Sequence, residues 1–167
     1  MLQKRVIPCL QLVEGSLVKT KKFKDFDYIG DPINTVRIFN ELEVDELCIL
    51  DIRATKNKYQ PKYNLLKEIA NEAFMPMSYG GGIKTIAQAK QIFSIGFEKI
   101  VINSSYFYNK NLIKEIANHF GSQSIVVSID LYTNFLNKTN AYVNSGTVKL
   151  KEDRKSTRLN SSHQIIS

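Results

Sequence analysis

Five short apolar runs, four of them followed by a helical signature, constrain this chain more than any other feature. Residues 4–11 (KRVIPCLQ), 45–52 (DELCILDI), 75–79 (MPMSY), 98–103 (EKIVIN) and 124–130 (SIVVSID) are rich in β-branched and apolar side chains along nearly their whole length. Such runs read as strands buried on both faces. Asp31-Pro32 opens the first helix, because Asp caps and Pro suits the first helical position. Ile33, Val36, Phe39 and Leu42 then mark its apolar stripe. Pro61 opens a second helix carrying Leu65, Leu66, Ile69, Ala70 and Ala73. Thr85 caps a third, with Ile86, Ala89, Ile92 and Phe93, closed by Gly96. Leu112, Ile113, Ile116, Ala117 and Phe120 mark a fourth. A basic loop with Lys19, Lys21, Lys22 and Lys24 and with Phe23 and Phe26 follows the first strand. Residues 141–150 read as a hairpin turning at Ser145-Gly146.

Strands alternating with helices imply a parallel sheet with right-handed crossovers. On pattern alone the sheet is either the wall of a barrel or an open doubly wound sheet. A complete eight-unit barrel takes ~250 residues, and this chain has 167. That length holds one core and not two domains.

The last stretch departs from this pattern. Residues 153–167 (DRKSTRLNSSHQIIS) shift to Ser, Arg and Lys with no period. The string back-translates in frame into a common short-read sequencing adapter followed by an index. The native chain is therefore expected to occupy residues 1–152, with 153–167 a non-native, disordered tail. Arg154, Lys155 and Arg158 against Asp153 account for two of the formal +7 charges. The remaining lysines are dispersed and form no basic patch interleaved with aromatics, which argues against a nucleic-acid partner. No apolar run approaches the ~18 residues of a membrane span. Cys9 and Cys48 both lie in apolar runs and no Cys-x-x-Cys occurs. Neither a disulfide framework nor a metal site is expected, and a reducing cytoplasm fits. His119 sits at a helix end facing solvent, which leaves no histidine for a catalytic triad.

The candidate chemistry sits where strands end. Gly80-Gly81-Gly82 follows a strand and precedes a helix, so it is either a tight turn or a place where backbone approaches an anion. Asn103-Ser104-Ser105 follows the next strand in the same way, and two such loops together can grip one phosphate. Asp130 closes the fifth apolar run, where a carboxylate can act as acid or base. Asp51 has Arg53 as an available partner and reads as structural or orienting. Lys19 belongs to the basic loop, a solvated segment or a lid. Arg5, Glu46 and Lys99 stand at the opposite strand ends, where they can compensate one another as a charged ring.

MLQKRVIPCL, GSLVK, GDPI, VDELCILDI, YGGGI, EKIVINSS and FGSQSIVVSID resemble, in order and spacing, the cyclase subunit of imidazole glycerol phosphate synthase. The resemblance runs from Met1 to about Leu150. It implies an α/β fold of the (βα)8 TIM-barrel family, cut after about five strands and a hairpin, which leaves strands one and five with unpaired edges. It implies a glutaminase partner at the N-terminal barrel face, whose ammonia crosses the barrel to a phosphorylated small-molecule substrate, and no cofactor. Two aspartates act there as acid and base. Asp130 matches one, whereas Gln11 stands in the place of the other, and an amide moves no proton at neutral pH. Lys19 matches the family's loop lysine. Gly82, Asn103 and Ser104 match a phosphate site, and Arg5, Glu46 and Lys99 match three members of the ammonia gate. A retained gate beside a lost carboxylate resembles the barrels that accompany sugar amidotransferases in surface-polysaccharide synthesis, as does KFKDFDYIGDPI. The alternatives are the histidine-pathway cyclase with Gln11 tolerated, and a non-catalytic phosphate-binding scaffold. The 167-residue chain itself is expected to be inactive.

Overall fold

The computed structural model describes residues 4–21, 24–133, 135, 137, 139–143 and 148–150. In chain order the elements are β1 (Cys9–Val13), β2 (Ser16–Lys21), β3 (Lys24–Gly30), α1 (Pro32–Glu41), β4 (Leu47–Asp51), α2 (Tyr63–Glu72), β5 (Met77–Gly80) and α3 (Ile86–Ile95). There follow β6 (Lys99–Ile102), α4 (Ser104–Tyr108), α5 (Lys110–Phe120), a 3-10 turn (Ser122–Ser124), β7 (Ile125–Val127), β8 (Asp130–Thr133), β9 (Thr139–Val143) and β10 (Val148–Lys149). The main sheet has the order β3-β2-β1-β4-β5-β6-β7. Its strands β1, β4, β5, β6 and β7 pair in parallel, in register Leu10 with Ile49, Ile49 with Tyr79, Tyr79 with Ile100 and Ile100 with Ile125.

Period-two alternation divides the side chains of these strands between two faces. Leu10, Leu47, Ile49, Tyr79, Ile100 and Ile102 pack with Val36 of α1, Leu66 and Ile69 of α2, Ala89 and Ile92 of α3, and Leu112 and Ile116 of α5 in one core. The other face holds a small cluster, Cys48, Leu50, Val101 and Val126, without any helical residue. All four long helices therefore lie on one side of the sheet. A doubly wound sheet covers both faces, whereas a barrel wall carries helices only outside. The described fold is a run of consecutive βα units of a (βα)8 barrel. Among the described residues no helix is long and apolar enough to cross a membrane.

Helix starts follow local chemistry. The Asp31 carboxylate accepts from Asn34 N–H at 3.0 Å, with Pro32 behind it. Thr85 and Gln88 form a reciprocal capping box at α3.

Four expectations are corrected. Regular pairing of the first strand starts at Cys9 rather than residue 4, since Pro8 has no N–H to give a ladder. The basic loop is a hairpin: β2 pairs antiparallel with β1 and β3, burying Leu17 and Val18. Strand one is therefore partly covered on the side expected to be open, and residues 22–23 lie outside the described residues. The fifth strand ends at Val127, and Asp130 instead opens β8, because residues 130–133 pair with β9 in a separate sheet ordered β10-β9-β8. Leu42, expected on a buried stripe, is 63% exposed as the C-cap of α1. The expected β9–β10 hairpin forms by pairing Val148 with Val143, but its turn at Ser145-Gly146 lies outside the described residues, as does the expected tail.

Candidate functional site

A cleft of about 110 Å³ opens where the parallel strands end. Gln11, Asp51, Gly80, Gly81, Gly82, Asn103, Ser104, Ser105, Ser128 and Asp130 line it, so most of the site residues expected from the sequence converge there. The glycine run is required by space. A Cβ on Gly81 would stand 2.6 Å from the Asp51 carbonyl oxygen, and one on Gly82 would stand 2.8 Å from the Tyr59 carbonyl oxygen. Both residues also hold positive φ, +133° and +69°. The capping box claims the N–H groups of Lys84, Thr85 and Gln88, so those donors of the α3 terminus are already spent on the protein.

The two candidate phosphate loops are stitched together. Ser105 Oγ donates to the Ile83 carbonyl at 2.6 Å. Ser104 Oγ donates to Asn103 Oδ1 at 3.1 Å, and Asn103 Nδ2 donates to Asp130 Oδ1 at 3.2 Å. This relay fixes Asn103 between a buried hydroxyl and the candidate acid–base carboxylate. Gln11 is half-buried, and its Oε1 accepts from Thr20 Oγ of the hairpin at 2.9 Å. Lys19 is exposed, sits opposite Asp27 across β2 and β3, and does not line the cleft.

Asp51 is partnered differently from expectation. Its Oδ1 accepts from Tyr59 Oη at 2.7 Å and from the backbone N–H groups of Ala54 at 3.1 Å and Arg53 at 3.2 Å. The Arg53 guanidinium lies 4.1 Å from the centroid of the Phe26 ring instead, fastening the β4 loop to the hairpin. Burial holds the Asp51 carboxyl above its usual range, and these three donors oppose the shift. Burial, then the neighbouring carboxylate, raises the Tyr59 phenol. Thr20 and Tyr59 carried no sequence signal, since their partners are a hairpin contact and a turn that periodicity does not encode.

At the other end of the strands, Glu46 is buried and its Oε2 accepts from Arg5 Nη2 at 2.7 Å and Lys99 Nζ at 2.5 Å. The structure thus brings together all three expected ring residues. Between the two polar ends lie Cys48, Leu50, Val101 and Val126. Cys9 faces Cys48 in register across β1 and β4, and neither forms a disulfide.

A parallel barrel wall with paired glycine and serine loops at its mouth narrows the families to be considered. The model of the family described as "Histidine biosynthesis protein" matches residues 5–163. The chain belongs to this family. Among members, it is 51% identical over 151 residues to the "Putative imidazole glycerol phosphate synthase subunit hisF2" of Pseudomonas aeruginosa, covering 90% of this chain and 60% of that protein. It is 47% identical over 154 residues to the like-named subunit hisF3 of Vibrio vulnificus, covering 92% and 59%. The imidazole glycerol phosphate synthase subunit HisF of Methanococcus vannielii is 42% identical over 140 residues, covering 84% and 52%. The chain spans about 60% of the length of the first two of these curated relatives.

Proposed function

We propose that this chain is the N-terminal part of a histidine-biosynthesis-family barrel that receives ammonia from a glutaminase partner and passes it to an amidation of a surface-polysaccharide sugar. The observation that carries the reading is the contrast between its two ends. The Arg5–Glu46–Lys99 cluster is assembled at one end of the strands, while at the cleft end Gln11 stands where the sequence resemblance puts the first acid–base aspartate. Losing one proton-transferring group removes roughly 10²–10⁴-fold of rate from cyclase chemistry, but it leaves a conduit intact. The interior between the ends is apolar, which suits neutral ammonia because burial disfavours the ammonium ion.

In this reading Arg5, Glu46 and Lys99 gate ammonia entry beneath the docked glutaminase. Gly82, Asn103 and Ser104 hold a phosphate at the mouth, and Asp130 is the retained acid or base. Lys19 joins them only after the hairpin turns it inward. On its adapter-like sequence the stretch 153–167 is read as foreign to the native chain, although the family match runs to residue 163. The two unpaired thiols accord with a reducing cytoplasm. The 167-residue chain alone is inactive, since its relatives use a further two-fifths of chain.

The histidine-pathway cyclase is the second reading, favoured by the Ser104–Asn103–Asp130 relay and by the identity to the Methanococcus subunit. The deciding experiment combines the full-length protein with its glutaminase and follows glutamine hydrolysis, ammonia release and imidazole glycerol phosphate. Glutaminase activation without imidazole product supports ammonia supply. Imidazole glycerol phosphate formed at a normal rate overturns it in favour of the cyclase. Phosphosugar binding with no change in glutamine turnover reduces the protein to a scaffold.

A further inference from the structure

Asp51 is 6% exposed, yet it lines the cleft. Its three hydrogen bonds all end on one oxygen, Oδ1, and no described residue donates to Oδ2. Oδ2 is also not among the sealed, unsatisfied atoms. A carboxylate so far buried is costly unless its oxygens are hydrogen-bonded. The Arg53 guanidinium is spent on Phe26, and Lys62 acts on the carboxylate only through space, without a hydrogen bond to it. The protein therefore fixes the plane of this carboxylate through one oxygen and leaves the other for something in the cleft. Gly81 packs directly on Asp51, with no room for a Cβ between them. Asp51 shares the cleft with the Gly82 and Ser104 loops. Gln11 makes no comparable offer, because its amide is uncharged and its Oε1 already accepts from Thr20.

We propose that Asp51 is a second ligand-facing carboxylate of the mouth, whose Oδ2 accepts a hydrogen bond from a hydroxyl of the phosphorylated sugar. This rests on the reading of the mouth as a phosphosugar site. Asp51 is a binding and specificity residue, and no proton transfer is assigned to it. Hydrogen bonds to a buried charged acceptor discriminate strongly between ligands that carry the donor and ligands that lack it.

The test compares glycerol 3-phosphate with n-propyl phosphate, which has no hydroxyl, and with inorganic phosphate, by NMR titration of the full chain. The wild type is expected to bind glycerol 3-phosphate about tenfold more tightly than propyl phosphate. Asp51→Asn keeps an oxygen for Tyr59, Ala54 and Arg53 and turns the cleft-facing atom into a donor. The preference should then fall below twofold while inorganic phosphate binds as before. Tyr59→Phe keeps the carboxylate but frees its plane, and should lose at least half of the preference. It serves as the test where Asp51→Asn does not fold.

A wild type that binds phosphate without any hydroxyl preference overturns the Asp51 assignment alone, as does an undiminished preference in Asp51→Asn. Glycerol that perturbs the Asp51 carboxyl signal in a chain indifferent to phosphate upholds Asp51 and overturns the phosphate reading alone. Ammonium chloride abolishing the preference at millimolar concentration would mark Oδ2 as a cation site and overturn the hydroxyl assignment.

Discussion

Lys99 Nζ and Glu46 Oε2 meet at 2.5 Å although the two residues lie 53 positions apart. Arg5 shares the same oxygen, and the Glu46 side chain is only 5% exposed. An anion this deeply placed between two cations is held by geometry, and removing it strands Lys99, whose side chain is 25% exposed. Glu46→Gln is expected to destabilise the fold by about 2 kcal/mol, below the range for a fully buried pair because Arg5 is half exposed. Adding Lys99→Met should recover more than half of that loss. Urea denaturation of the two single variants and the double variant closes the cycle.

Thr85 makes a smaller and purely local contribution. Its hydroxyl accepts from Gln88 N–H at 3.2 Å, and the Gln88 side chain returns to the N–H groups of Lys84 and Thr85. Thr85→Ala should cost about 1 kcal/mol, with Thr85→Ser within a few tenths of wild type. Thermal melts of the two variants measure the difference. A loss well above this range would mean that the cap also holds the adjacent glycine run in place.

These two contacts mark how far the sequence could be read. Asp31, Thr85 and the parallel strands were legible because caps and apolar runs are local signals. Arg5, Glu46 and Lys99 were legible as a group because each is a charge at the start of an apolar run. The β2–β3 hairpin was not: its lysines suggested a solvated loop, and only pairing with β1 shows Leu17 and Val18 to be core. Asp130 looked like the end of a strand because the SIVVSID run is continuous in hydropathy. Ser128 N–H still bonds to the Ile102 carbonyl at 2.9 Å, but from Asp130 onward the chain pairs with β9 in the separate sheet. The true partners of Asp51 depend on a turn that brings Tyr59 back over β4, which no periodicity announces.

Asp51 also predicts a pH dependence. Burial raises its folded-state pKa above the ordinary 3.8, so the folded chain binds this proton more tightly than the unfolded chain. Between 3.8 and the raised value the group's contribution to stability falls as pH rises, and above that window it is constant. The Tyr59 phenol, itself pushed up by burial, stays protonated across this window and does not reverse the sign. The comparison with Asp51→Asn cancels the opposite trend of Glu72, whose pKa is lowered by Arg37. The stability of wild type relative to Asp51→Asn should therefore decline from pH 4 upward and then level off. Denaturation series at half-unit pH steps read it directly, and a difference that rises with pH contradicts the burial argument.

Gln11 offers the sharpest test of function. In the full-length protein, Gln11→Asp puts a second carboxylate into the cleft that Asp130 also lines. Aspartate is one methylene shorter than glutamine, so it gives up the 2.9 Å bond from Thr20 and leaves that hydroxyl to the hairpin. If Gln11 marks a barrel whose remaining mouth still fits the cyclase substrate, restoring the acid or base should raise imidazole glycerol phosphate formation at least about 100-fold. The gain should appear mainly in kcat, since a proton-transfer group acts in the transition state. If the mouth has been reshaped for another acceptor, Gln11→Asp should leave imidazole product at background while glutaminase activation stays at the wild-type level. The second outcome is the one expected here. It would show that the substitution at position 11 accompanies a change of acceptor, because a lost carboxylate alone is repaired by its return.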